Sequence, residues 1–212
     1  NPGFTKIQIQ SCGQAISKFC AVSVREDVGL DIIREYNWEC PECKVVLDPT
    51  LLLNSGDYFS LLGDTTYPSV VFGYLLDQTE QKKTILKNVS EKLKTDSLNI
   101  INGANREDFV YPSVEEWLGY ISKSRFVVTD SFHGMVFAIL FNKPFAVIIN
   151  KDRGAARFTS LLKALGLEDR VLESDSDVDR ILKSEISWNQ VNIALDKKRM
   201  ESENFLLNSI NE

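Results

Sequence analysis

Short apolar runs alternate with amphipathic stretches along most of the chain. Residues 21–24, 44–47, 70–76, 98–101, 126–129 and 145–149 are apolar, in part β-branched or aromatic, and too short for helices. They predict buried strands. Between them, residues 28–36, 79–93, 114–122, 134–141 and 159–165 carry apolar side chains three and four apart, as Ile85, Val89 and Leu93 do. That spacing predicts helices packed on one face. Ser113 with Glu116 forms a capping box for one of them, and Gly166 closes another. Residues 178–183 read as a further helix and 170–172 as a further short strand, while 40–43 form a turn and 51–66 and 102–112 read as loops. The first ten residues are weakly patterned, and 14–19 reads as the end of a helix. Residues 186–208 form one long last helix with a sparse apolar stripe.

Strand and helix in this order predict an α/β class with a Rossmann-like, doubly wound parallel sheet of about five or six strands. One such domain fits residues 19–187, with 1–18 the remnant of a preceding helix or linker and 188–212 a C-terminal helix. A lone domain has limited use for that last helix; a neighbouring domain would give it something to cover.

The chain has 212 residues, 43% hydrophobic, enough for a sizeable core. Its net charge of −6 makes it a poor general partner for nucleic acid. The longest strongly apolar run, 135–141, has seven residues and cannot span a membrane. Four cysteines in a chain of this length fit a reduced, cytoplasmic protein. Cys40-Pro41-Glu42-Cys43 precedes a strand rather than opening a helix, which argues against a redox pair, and a zinc site would need about four ligands. No metal and no cofactor is expected.

Candidate chemistry gathers after the 126–129 strand, in Asp130-Ser131-Phe132-His133-Gly134. Ligands of open α/β sheets bind at the carboxyl ends of strands. His133, the one histidine of the chain, stands there at a helix start, where free backbone N–H groups favour an anion. It could grip a ligand or act as a general acid, or simply cap the loop. Asp130 could orient His133 or bind a hydroxyl, or serve as the helix cap; Ser131 faces the same choice, and Gly134 lies in the same substrate-facing turn. Arg25 follows the first strand and would share that edge, its fork suited to carboxylate or phosphate. Lys151, Arg153 and Arg157 cluster after the next strand and suggest an anionic substrate, with Asn150 and Gly154 bending the loop around it. Asp48 in Asp48-Pro49-Thr50 ends another strand, as rigid architecture or as a binding group.

The set Val22-Ser23-Val24-Arg25-Glu26, Leu47-Asp48-Pro49-Thr50-Leu51-Leu52, Val128-Thr129-Asp130-Ser131-Phe132-His133-Gly134 and Asn142-Lys143-Pro144-Phe145 resembles the polysaccharide pyruvyl transferase family. The loop from Asn150, Leu161-Leu162 and Leu165-Gly166-Leu167 add to it. The resemblance implies the C-terminal, donor-binding half of a GT-B-like fold. It implies transfer of the pyruvyl group of phosphoenolpyruvate to a glycan sugar as a ketal, in bacterial exopolysaccharide or cell-envelope assembly. His133 and Asp130 would be catalytic; Arg25, Ser131, Gly134, Asn150, Lys151, Arg153 and Arg157 would bind substrate. Many members carry Arg-Leu-His where this chain has Ser131-Phe132-His133, and Arg25, Arg153 or Arg157 would replace that charge. The acceptor side would lie in an N-terminal half of the same protein, and faces left open could support a homo-oligomer. The alternatives are a GT-B-like glycosyltransferase using a nucleotide sugar, and a non-catalytic domain binding an acidic metabolite or a partner.

Overall fold

A computed structural model describes residues 4–100, 112–149 and 154–211. Helix α1 (Lys6–Ile16) opens on a capping box between Thr5 and Gln8 and buries none of its side chains. Strand β1 (Val22–Val24), helix α2 (Asp27–Glu35) and strand β2 (Cys43–Val45) follow. A 3-10 turn at Pro49–Leu51 and helix α3 (Ser55–Phe59) lead into β3 (Val71–Tyr74), α4 (Glu80–Leu93), β4 (Ser97–Asn99), α5 (Val114–Lys123) and β5 (Phe126–Thr129). Then come α6 (Phe132–Leu140), β6 (Phe145–Val147), α7 (Ala155–Leu165), α8 (Val178–Lys183) and α9 (Trp188–Asn211).

All the strand pairings are parallel, in the order β4-β3-β5-β6. Alternate side chains of these strands enter opposite cores, as a strand buried on both faces requires. Phe72, Val127, Phe145 and Val147 meet α5, α6, α7 and α9 on one side. Val71, Phe126, Val128 and Ala146 meet Ile85, Leu86 and Val89 of α4 and Val178 and Ile181 of α8 on the other. The result is the doubly wound α/β arrangement expected from the sequence.

The expected single sheet of five or six strands is resolved differently. Among the described residues, β1 and β2 pair only with each other, in a two-stranded sheet of their own. Residues 170–172 give a single bridge, Val171 to Val147, rather than a strand. The Val171 carbonyl accepts instead from the Arg180 guanidinium, and Arg170 is turned away from the sheet. It is 1% exposed, and its guanidinium donates to the carbonyls of Ile181 and Ser184 and pairs with Asp169. The chain there is shaped to clamp the end of α8, not to extend a ladder.

The last helix is used within this domain. Val191 and Leu195 of α9 enter the core. The Ser202 hydroxyl accepts the Leu47 N–H at 3.0 Å, and Arg199 donates to the carbonyls of Leu51 at 2.9 Å and Leu53 at 3.2 Å. Helix α9 therefore holds the 47–53 segment that carries Asp48, while Ile193, Met200, Leu206, Leu207 and Ile210 of the same helix stay exposed.

From β3 the chain steps outward to β4, then returns across β3 to β5 and β6. The order reverses between β3 and β5. That reversal opens a crevice at the carboxyl ends of these strands, where open α/β sheets take their ligands.

Candidate functional site

β5 ends at Thr129, and Ser131 caps α6, its hydroxyl accepting the Gly134 N–H at 3.4 Å. The helix begins at Phe132, two residues earlier than its periodicity predicts, which sets His133 in the first turn. The other eight residues of α6 are buried, whereas the His133 side chain is 48% exposed. An apolar helix that shows solvent one imidazole presents that imidazole to whatever binds the crevice.

Gly134 permits this placement. A Cβ there would come within 2.4 Å of Thr129 Oγ1. That hydroxyl donates to the Tyr74 carbonyl at 2.7 Å and accepts the Ser131 N–H at 3.0 Å. The glycine is buried and its N–H is spent on Ser131, so close packing requires it at this position. Gly134→Ala should lower stability by about 1–3 kcal/mol through overpacking, measured by urea unfolding.

The expected pairing of Asp130 with His133 is not what forms. Asp130 is 3% exposed, and its carboxylate accepts the N–H groups of Leu76 at 2.6 Å and Asp77 at 3.1 Å. It also meets the Lys82 ammonium at 2.5 Å. These contacts tie the loop after β3 to the end of β5 across the point of strand reversal. Asp130 is held by the scaffold beneath the site.

The carboxylate that faces His133 belongs to Asp48, whose Oδ1 lies 3.8 Å from His133 Nε2. Asp48 is 5% exposed; Oδ1 also accepts the Thr50 N–H at 3.0 Å, and Oδ2 accepts from Arg25 at 2.5 Å. Arg25 and His133 therefore meet on one buried carboxylate, although Arg25 follows a strand of the separate small sheet. Burial pushes the Asp48 carboxyl up, but the Thr50 hydrogen bonds, the Arg25 guanidinium and the nearby His133 outweigh it and hold it below the ordinary carboxylate range. A carboxyl depressed on folding adds stability that is present above its unfolded value, about 3.9, and is lost as pH falls through the folded value. The stability that Asp48 gives over Asp48→Asn should thus be present at about pH 5 and shrink below about pH 4, as followed by urea unfolding at each pH.

Two cavities flank the start of α6. The first, about 260 Å³, lies over the strand reversal and is walled by Tyr74, Val114, Trp117, Ser113, Ser131 and His133. The second, about 340 Å³, is lined in part by Arg25, Asp48, Phe132, Arg157, Lys163 and Lys198. Arg157 stands in the first turn of α7, its guanidinium carbon 5.2 Å from the centre of the Phe132 ring. Gly154 enters that helix at φ +70°, a backbone conformation that glycine adopts without strain. Among the described residues, its lining carries Arg25, Arg157, Lys163 and Lys198 against Asp27 and Asp48, an excess of positive charge that suits an anion. Asn150, Lys151 and Arg153, also expected at the substrate, lie outside the described residues.

Arg25, Ser131, His133 and Arg157 are thus gathered around the first turn of α6, on the walls of the two cavities. Sequence reasoning missed Tyr74, Trp117, Lys163 and Lys198. Tyr74 ends a strand on the ligand edge and was open to the same argument as Arg25. Lys198 had no such signal, because it arrives on α9. Cys40 and Cys43 stand apart as free thiols. Burial and the neighbouring Cys40 push the Cys43 thiol up to about 11, away from thiolate chemistry. Among the described residues, no group of three or more metal-ligating side chains gathers, and no helix is long and apolar enough to cross a membrane.

A family model described as polysaccharide pyruvyl transferase matches residues 2–152, which carry β1 through β6 and His133. No curated protein and no solved structure matches.

Proposed function

Since the chain belongs to the polysaccharide pyruvyl transferase family, we propose that it binds phosphoenolpyruvate and that His133 takes part in transferring the pyruvyl group to a glycan sugar as a ketal. The observation that carries this reading is the convergence of Arg25 and His133 on Asp48 beside the cationic cavity that Arg157 and Lys163 line. Phosphoenolpyruvate carries a phosphate and a carboxylate, and guanidinium groups match both. Arg157, stacked on Phe132, supplies positive charge next to the Ser131-Phe132-His133 turn, where many family members have an arginine.

The chemistry needs a proton delivered to the methylene carbon of the donor. This leaves an oxocarbenium-like carbon that one sugar hydroxyl attacks. The carbon–oxygen bond to phosphate then breaks, and a second hydroxyl closes the ketal. Of the two hydroxyl protons, one balances that added to the methylene and the other leaves with phosphate. Protonated His133 is the candidate donor of the first proton, or the partner of the departing phosphate. Asp48 offers the imidazolium a fixed counter-charge.

The test is release of inorganic phosphate from phosphoenolpyruvate in the presence of glycan acceptors, with the ketal identified by NMR. Acceptor-dependent phosphate release supports the proposal; turnover of a nucleotide sugar in its place refutes it. Arg25→Ala should weaken phosphoenolpyruvate binding by roughly tenfold or more, the value of one charge-assisted hydrogen bond, measured by calorimetry.

A further inference from the structure

Asp48 lies 3.8 Å from His133 Nε2, beyond hydrogen-bond reach, and meets Arg25 through a half-exposed guanidinium. Its carboxylate caps its own turn through the Thr50 N–H at 3.0 Å, so it goes where that turn goes. Strand pairing ties β2 to β1 as far as the Val46 N–H, which donates to the Val24 carbonyl at 2.9 Å. The next N–H, of Leu47, goes to the Ser202 hydroxyl of α9 at 3.0 Å. One turn back along α9, Arg199 donates to the carbonyls of Leu51 at 2.9 Å and Leu53 at 3.2 Å and pairs with Asp196. From the other side, Tyr58 of α3 donates to the Thr50 carbonyl at 2.9 Å. Ser202 is buried, and its hydroxyl donates to the Lys198 carbonyl at 2.8 Å, which leaves its lone pairs for Leu47. The Arg199 side chain is 16% exposed. Hydrogen bonds in such surroundings are strong and directional, and a buried backbone group seeks a partner. The same stretch of α9 brings Lys198 to the wall of the anion cavity, where it also meets Glu201 at 2.9 Å. Helix α9 lies outside residues 2–152, the part that the family model matches.

We infer that Ser202 and Arg199 are positioning residues for the site: α9 fixes the Asp48 turn from outside, and with it the place of Asp48 against Arg25 and His133. Neither side chain lines the anion cavity; both act through the 47–53 backbone. The effect on phosphoenolpyruvate rests on the proposed transfer reaction, whereas the placement of Asp48 does not.

The chain holds one histidine, so carbon–proton NMR of its imidazole reports the surroundings of His133 alone. Asp48→Asn supplies the reference displacement of that signal at a fixed pH. Ser202→Ala strands the Leu47 N–H while favouring the helix. Arg199→Met removes the donors and keeps much of the packing stem. Both variants should move the signal toward its Asp48→Asn position. Both should also weaken phosphoenolpyruvate binding roughly threefold to tenfold, by calorimetry at a temperature where each is fully folded. Ile193→Ser, on the exposed face of the same helix, should do neither. A merely structural role would lower the thermal midpoint and leave the signal and the affinity of the folded protein unchanged, and that result overturns the inference. An equal displacement in Ile193→Ser overturns it too, as does unchanged affinity in a chain that binds phosphoenolpyruvate. A signal displaced in Ser202→Ala and Arg199→Met alone, with no phosphoenolpyruvate binding to the unmodified chain, upholds the positioning and rejects the pyruvyl donor.

Discussion

Asp130→Ala should cost the protein about 3–5 kcal/mol, the usual effect of removing one partner from a buried ion pair. Asp130 is 3% exposed and Lys82 9% exposed. Without the carboxylate, the Lys82 ammonium keeps, among the described residues, Asp77 at 3.9 Å. The N–H groups of Leu76 and Asp77 lose their acceptor as well. A domain of this size has a stability of about 5–15 kcal/mol in total, so the variant should approach unfolding at ordinary temperature. Urea unfolding decides it: a loss under about 1 kcal/mol would mean that water replaces the carboxylate and that the crevice is not held as described. The double variant Asp130→Leu with Lys82→Met should recover part of the loss, because neither charge is then stranded. Asp130 is expected to matter mainly through the fold, although its place in the sequence suggested catalysis.

His133→Ala should do the reverse. The side chain is 48% exposed, and among the described residues its charged neighbour is Asp48, at 3.8 Å. Truncation should leave stability within about 0.5 kcal/mol. Transfer should fall by roughly 10²–10⁴, the usual contribution of a general acid. His133→Gln keeps hydrogen bonding without the titrating proton, and it should fail as well if proton delivery is the role. Phosphate-release rates read the first effect and thermal unfolding the second. Unchanged rates in both variants would remove His133 from the chemistry.

The contrast between two residues three apart explains what the sequence could reveal. The 126–147 strand–helix–strand unit was legible because its signals are local: an apolar strand, a capping serine, an apolar run and a stop at Asn142-Lys143-Pro144. The capping box of Ser113 and the left-handed Gly166 were legible for the same reason. Helix α1 was read only as a helix end, because a helix that buries nothing leaves no apolar stripe to find. The start of α6 was missed although Phe132, three residues before Met135 and seven before Ile139, lies on the same stripe, because the exposed His133 interrupts the apolar run. The partners of Asp130 and His133 were out of reach for a different reason. Lys82 lies 48 positions from Asp130, and Ser202 lies 155 from the Leu47 N–H it receives. Such pairs follow from the packing of whole elements. Asp48 looked like turn architecture from its Asp-Pro-Thr setting, and it does cap that turn. Only the fold brings it against both Arg25 and His133.

The most direct test of the whole account is calorimetric titration of phosphoenolpyruvate into the protein and into Arg25→Ala and His133→Ala. Saturable binding at one site, weakened in both variants with folding intact, is the predicted result. No binding to the well-folded protein, or binding indifferent to both substitutions, would contradict the assignment of the Arg25–Asp48–His133 cluster to the pyruvyl donor.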